Sequence, residues 1–166
     1  MEACGCTEMP DWAKAGPEHE KLKKMVGDWK VAMSFQMSPE AVMESAGTAS
    51  FKSIMNGFFV EQTFDAEMMG RPFEGRGLYG YDTVNKQYVV VWCDGWTPYM
   101  YVSKGQEEGG VMTLTGEEPC HAKEGCAPYK HVTKWEGDNK MIFEIWSTGE
   151  DGKLALSGTV TYTRGK

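Results

Sequence analysis

The chain has 166 residues, 41% of them hydrophobic and 25% charged. That is the size and make-up of one globular domain with its own core and no room for a second sizeable one. Its 17 Lys and Arg stand against 24 Asp and Glu, a net charge of -7, which argues against nucleic acid and against an anionic membrane surface.

No apolar run nears the roughly 20 residues of a membrane-spanning helix. Nothing at the N-terminus reads as a signal peptide, so a cytoplasmic location is expected. Residues 1–16 lack periodicity and carry Cys4, Cys6, Pro10 and Gly16. They read as a flexible, cysteine-containing tail ahead of a single domain over 17–166. Pro17 suits a first helical turn, Glu18 and Glu20 follow it, and Lys23 and Lys24 precede Gly27. This order matches the helix dipole and predicts a short helix over 17–26.

After Gly27 the period changes to two. Trp29, Val31, Met33, Phe35 and Met37 share one face, and Lys30, Ser34 and Gln36 the other, the signature of a half-buried strand. Further strands are predicted at 43–55, 58–68, 73–82, 87–94, 99–105, 111–117, 129–136, 141–148 and 154–164. Between them stand Asn56-Gly57, Gly70-Arg71-Pro72, Val84-Asn85, Gly109-Gly110, Gly137-Asp138-Asn139 and Asp151-Gly152, which are turn chemistry.

About ten short strands in hairpin spacing make an all-β, up-and-down antiparallel barrel, with the N-terminal helix closing one mouth. Closure removes the exposed edges, and a barrel this wide encloses a cavity. The inward phase collects Phe51, Phe64, Phe73, Tyr129, Phe143, Leu156 and Tyr162 among others, with Gln62, Asp94 and His131 as polar members. Gln62, Tyr79, Tyr81, Trp92, Asp94, Tyr101, His131 and Trp135 are the candidate pocket lining. The same residues read equally well as a filled core. Strand 87–94 is apolar on both faces, with Val89, Val91 and Cys93 outside. A homodimer partner would cover that outer side, and Cys93 reads as a small buried hydrophobe.

His131 alternates with Tyr129, Thr133 and Trp135. An inward His can ligate haem iron or another metal, move protons, or be a hydrogen-bonded core residue. His19 on the helix caps the mouth or packs there. Five cysteines are an odd count, which argues against a complete disulfide framework. Cys4, Cys6, Cys120 and Cys126, with His121 as an alternative, form a candidate zinc or copper(I) set. A Cys120–Cys126 bridge and free thiols are the other two readings. No cofactor is required by the sequence.

Catalytic templates are absent: no nucleophile elbow, P-loop or H-E-x-x-H. Gly75-Arg76-Gly77-Leu78-Tyr79-Gly80 lies inside a strand pattern with no following helix, so its glycines read as close backbone approach, not a nucleotide loop.

The chain also resembles a bacterial domain family of unknown function. The matching residues are Gly16-Pro17-Glu18-His19-Glu20-x-Leu22, Val26-Gly27-Asp28-Trp29 and Gly57-Phe58-Phe59-x-Glu61-Gln62. Met68-Met69-Gly70-x-Pro72-Phe73-x-Gly75-x-Gly77-x-x-Gly80-Tyr81-Asp82, Trp92-x-Asp94, Leu114-Thr115-Gly116, Asp151-Gly152-Lys153 and Tyr162-Thr163-Arg164 continue it. The resemblance spans 16–164 and implies a lipocalin-like, fatty-acid-binding-protein-like barrel, with no reaction attached. It does not extend to the Cys4 and Cys6 tail or to the cysteines of the loop 117–129. A looser likeness to haem-binding, nitrobindin-like barrels stops at Gly27-Asp28-Trp29. The leading expectation is a binding module for a small apolar or aromatic molecule. A metal protein, a haem-binding barrel and an enzyme acting on a hydrophobic substrate in the cavity are the alternatives.

Overall fold

Alternating segments bounded by turns form ten strands: β1 (Gly27–Ser38), β2 (Ala41–Ile54), β3 (Phe59–Met68), β4 (Arg71–Asp82), β5 (Gln87–Asp94), β6 (Tyr101–Glu108), β7 (Val111–Pro119), β8 (Cys126–Trp135), β9 (Lys140–Thr148) and β10 (Leu154–Arg164). The computed structural model describes residues 8–120 and 124–165. Each strand pairs with the next in sequence, and β1 closes on β10. The closing register runs from Trp29 opposite Arg164 to Phe35 opposite Gly158. All ladders are antiparallel, so the barrel is an up-and-down meander without free edges.

The helix α1 (Pro17–Lys23) is shorter than its sequence pattern. Its last turn tightens, with Met25 N–H donating to Leu22 O and Val26 N–H to Lys23 O, a three-residue spacing common at helix ends. His19 and Leu22 are its buried residues. His19 Nδ1 accepts the Gly16 N–H at 2.9 Å, and its ring meets Phe58 and Tyr81 edge-on at 5.9 and 6.0 Å. His19 is therefore a capping and packing residue. Ahead of the helix, Asp11–Ala13 form a 3-10 turn, tied to the β4–β5 turn by the Thr83 hydroxyl donating to Trp12 O.

The helix seals the end where β1 begins and β10 finishes. Lys21 pairs with Glu107 at the end of β6, and Lys24 lies 3.4 Å from Asp138 in the β8–β9 turn. Arg164 finishes the seal. Its guanidinium donates to Val26 O at 2.6 Å, to Asp138 O at 3.1 Å and to Lys24 O, while standing 4.1 Å over the Trp29 ring. Trp29 Nε1 donates to Met25 O at 2.8 Å beneath it. Leu22, Met25, Trp29 and Phe51 are each no more than 2% exposed, so this half of the barrel is a filled core.

Three side chains depart from their sequence reading, the first being Met37, placed on the buried face by alternation but exposed where the β1–β2 register shifts between Gln36 and Ser38. Leu156 was expected inside and is exposed, because the β9–β10 register shifts between Leu156 and Gly158 and reverses the faces beyond it. Cys93 was expected to be buried and is exposed, since it lies on the outer face opposite Arg76. On that outer face Leu78, Val91 and Val102 stand in one cross-strand row. No helix among the described residues is long and apolar enough to cross a membrane.

The Arg164 clamp predicts a stability effect. Arg164→Ala should lower unfolding stability by about 1–2 kcal/mol, from lost charged hydrogen bonds and the ring contact in a partly solvated setting. Arg164→Lys should recover little of it, because a point charge does not serve three carbonyls. Urea unfolding followed by tryptophan fluorescence measures both, and wild-type midpoints would show the clamp to be idle.

Candidate functional site

Beyond the sealed half, the inward side chains no longer meet across the barrel. They surround a cavity of about 290 Å³ that opens toward the end opposite the helix. Its floor is polar. The Tyr79 hydroxyl donates to Gln62 Oε1 at 2.8 Å, and Gln62 Nε2 donates to the Tyr162 oxygen at 3.1 Å. Gln62 is 1% exposed, so this bridge satisfies groups that would be costly to bury alone. Burial pushes the Tyr79 and Tyr162 hydroxyls well above the ordinary phenol range, and both stay protonated donors.

The walls are aromatic and aliphatic. Phe64 meets Phe73 and Trp92 edge-on, both at 5.9 Å, and Met33, Val90, Leu114 and Phe143 complete the surface. Two glycines on β4 make this possible. A Cβ on Gly75 would fall inside the Trp92 indole, and one on Gly77 would come within 3.0 Å of Gln62 Oε1. The glycine run of β4 thus leaves space for side chains reaching in from β5 and β3, as close backbone approach requires.

On β8, His131 lies between the rings of Tyr129 and Phe143, with centroids at 4.5 and 4.8 Å. It makes no hydrogen bond or ion pair among the described residues, and its accessible edge faces the cavity. Burial drives its pKa from 6.5 down to about 4, so the imidazole is neutral near pH 7 and offers one donor and one acceptor. Thr133, two residues on, lines the same cavity. The Tyr129 hydroxyl, on the same strand, pairs with that of Ser103 on β6 at 3.0 Å.

At the rim, Asp94 is already engaged. Its Oδ2 accepts the Trp92 indole N–H at 3.1 Å, and its Oδ1 accepts Trp96 N–H at 3.0 Å, Thr97 N–H at 3.1 Å and the Thr97 hydroxyl at 3.4 Å. Asp94 borders the cavity, yet its carboxylate is spent on fixing Trp92 and the β5–β6 turn. Trp96 extends the wall, meeting Phe73 edge-on at 5.4 Å.

Six of the eight residues singled out from the sequence come together here: Gln62, Tyr79, Trp92, Asp94, Tyr101 and His131. Tyr81 and Trp135 do not. Both point inward but sit at the sealed end, near the termini of β4 and β8. Tyr81 packs on Tyr88 at 5.0 Å, and Trp135 packs on Trp29 at 6.0 Å with the Lys24 ammonium 4.5 Å above it. The helix covers them. Tyr162, Thr133 and Ser103 belong to the cavity and were not singled out as site residues. Strand phase already put Tyr162 and Thr133 inside, whereas their spare polar capacity emerges only from the partners they meet.

Cys4, Cys6 and His121 lie outside the described residues. Cys120 and Cys126 flank the β7–β8 turn as free thiols. Cys120 N–H donates to Gly125 O at 3.0 Å, and Cys126 stands opposite Pro119. Ala127 and Tyr129 are the buried positions of β8, so Cys126 faces outward, 3.9 Å from the Tyr99 hydroxyl. The register therefore does not aim the two sulfurs at each other. No group of three or more metal-ligating side chains occurs among the described residues.

Residues 14–164 match the model of a family described as "Protein of unknown function (DUF1579)". No curated protein matches the chain by sequence. Among solved structures it is similar to Rv2717c from M. tuberculosis, at 12% identity and TM-score 0.64, over 92% of this chain and 100% of that one. It is also similar to the S-type phycobiliprotein lyase CPES from Guillardia theta, at 11% identity and TM-score 0.59, over 90% of this chain and 93% of that one. At these identities the likeness is one of fold.

His131 predicts an acid-sensitive fold. With a folded pKa near 4 against 6.5 unfolded, the unfolded chain binds more protons between those values. Stability is therefore full above pH 6.5 and falls as pH drops toward 4, by about 3 kcal/mol at most. The carboxylates of Glu107 and Glu144, held low by Lys21 and Lys134, lose their contribution only at lower pH. Urea midpoints from pH 7.5 to 4.5 should decline in the wild type and flatten in His131→Phe. A parallel decline in both would assign the proton elsewhere.

Proposed function

The chain belongs to that family, DUF1579, and we propose that it is a small-molecule-binding barrel holding one compact apolar or aromatic ligand. The observation that carries this reading is the cavity itself. Apolar rings wall it, a few unspent polar groups converge in it, and one end is open while the other is sealed. That combination is the general form of a small-molecule site, in which apolar burial supplies affinity and sparse polar groups supply orientation. A volume of about 290 Å³ falls at the low end of pockets for drug-sized molecules. It suits a ligand of one or two rings better than a haem macrocycle or a long acyl chain.

A proton-transfer role would rest on His131, the imidazole among the described lining residues. The fold shared with a phycobiliprotein lyase brings no substrate to this chain at 11% identity, so binding is the reading the geometry supports. The zinc or copper(I) alternative rests on residues largely outside the described ones.

Native mass spectrometry of the freshly purified protein against its denatured mass tests the reading directly. An excess of a few hundred daltons lost on denaturation is the expected result for a carried organic ligand. For protein without cargo, a panel of compact aromatics should raise Tm by roughly 5–10 °C at about 100 times Kd. Trp92→Ala, which opens one wall, should weaken the best hit at least about tenfold. No mass excess and no compound that moves Tm would leave the barrel without a binding role.

A further inference from the structure

Resting on the binding reading above, we propose that the ligand is neutral and enters with a hydrogen-bond acceptor leading, the chemistry of an aryl ketone or a related ring carbonyl. The floor dictates this by donor arithmetic. Gln62 bridges the Tyr79 and Tyr162 hydroxyls with one amide. Whichever way that amide is turned, its carbonyl takes a hydrogen from one phenol and its NH2 group gives one to the other. One phenol hydrogen is always left over, together with the second amide hydrogen. As drawn, the spare hydrogen belongs to Tyr162, which lines the cavity. Thr133 also borders the cavity, and its hydroxyl has no hydrogen-bond partner among the described residues. A buried donor without an acceptor is costly, and a ligand oxygen at this depth supplies one.

The charges lining the cavity exclude the other heads. Asp94 and Glu118 are its ionisable carboxylates, and among the described residues no Lys or Arg lines it. At the floor an anionic head would be desolvated with no cation among the described lining residues to meet it. A cationic amine would carry donors to a floor already rich in donors, and Asp94 has four donors of its own. A bare hydrocarbon fills the space and leaves the floor unsatisfied. The ring walls of Phe64, Phe73 and Trp92 then fit the planar body of the molecule.

The test is a matched series on one frame, titrated calorimetrically into wild-type protein at pH 7.5. Acetylnaphthalene, ethylnaphthalene, naphthoate and naphthylethylamine, all substituted at the same ring carbon, differ in the head alone. The ketone should bind about tenfold or more tightly than each of the others. Tyr162→Phe, confirmed folded by its thermal melt, should close the gap between the ketone and ethylnaphthalene, chiefly by weakening the ketone. Equal binding of ketone and hydrocarbon, or tightest binding by naphthoate or the amine, overturns the inference. So does no binding by any of the four. The broader reading is judged separately by the native mass difference and the wider panel, so a hit of another class there leaves binding standing and removes the carbonyl. The wild-type series decides the question even if Tyr162→Phe does not fold.

Discussion

Closure of β1 on β10 is the constraint from which the rest follows. A meander of ten strands has two edges until those strands meet, and once they meet its interior is wider than ordinary side chains fill. The chain resolves the excess width unevenly. At one end a seven-residue helix, too short to be stable alone, is held by Arg164, by the Lys21–Glu107 pair and by the buried Trp29. Arg164 comes from the last strand and reaches the carbonyls that link the helix to the first. The closing register and the seal are therefore parts of one construction. At the other end nothing comparable enters among the described residues, and the same inward phase that makes a core below makes a cavity above.

Burying polar groups in such a barrel demands close accounting. Gln62 solves the problem for two tyrosines at once because an amide both donates and accepts. Tyr88 shows the contrast. Its ring is buried against Tyr81, its hydroxyl has no hydrogen-bond partner among the described residues, and burial with nearby Glu107 and Glu18 pushes its pKa up to about 12. That hydroxyl sits on the sealed side, away from the cavity lining. The leftover donors at Gln62, Tyr162 and Thr133 sit where a ligand can reach them.

The strand count, the hairpin order, the closed barrel and the short helix were legible because period-two alternation and turn residues are local signals. Alternation also separates inside from outside, which is why six of the eight proposed lining residues converge. It says nothing about height along the barrel axis. Tyr81 and Trp135 have the right face and the wrong level, since the helix that covers them is positioned by Arg164, more than a hundred residues away in sequence. Leu156 failed for a different reason. A one-residue register shift reverses the face, and no composition signal marks it, as Ser157 and Gly158 read like an ordinary strand. The role of Asp94 was equally hidden, because an acidic residue beside Trp92 reads as a ligand-facing group until its four donors are seen.

Those four donors bear on the proposed recognition of a ligand. A tryptophan wall free to rotate would have to be ordered on binding, at a cost in conformational entropy. Here the indole N–H is tied to Asp94, the ring lies across Gly75, and Asp94 is itself tied to the backbone of the next turn. Phe64, Phe73 and Trp96 brace one another edge-on beside it. This side of the cavity is set before any ligand arrives. Met33 and Met68 also line the cavity, with flexible side chains that conform to irregular shapes. On the binding reading proposed above, a fixed aromatic face, an adjustable aliphatic surface and a donor-rich floor would together select by polarity at depth and by planarity along the wall. They tolerate variation in outline. On that reading the site would discriminate among head groups more sharply than among ring substituents.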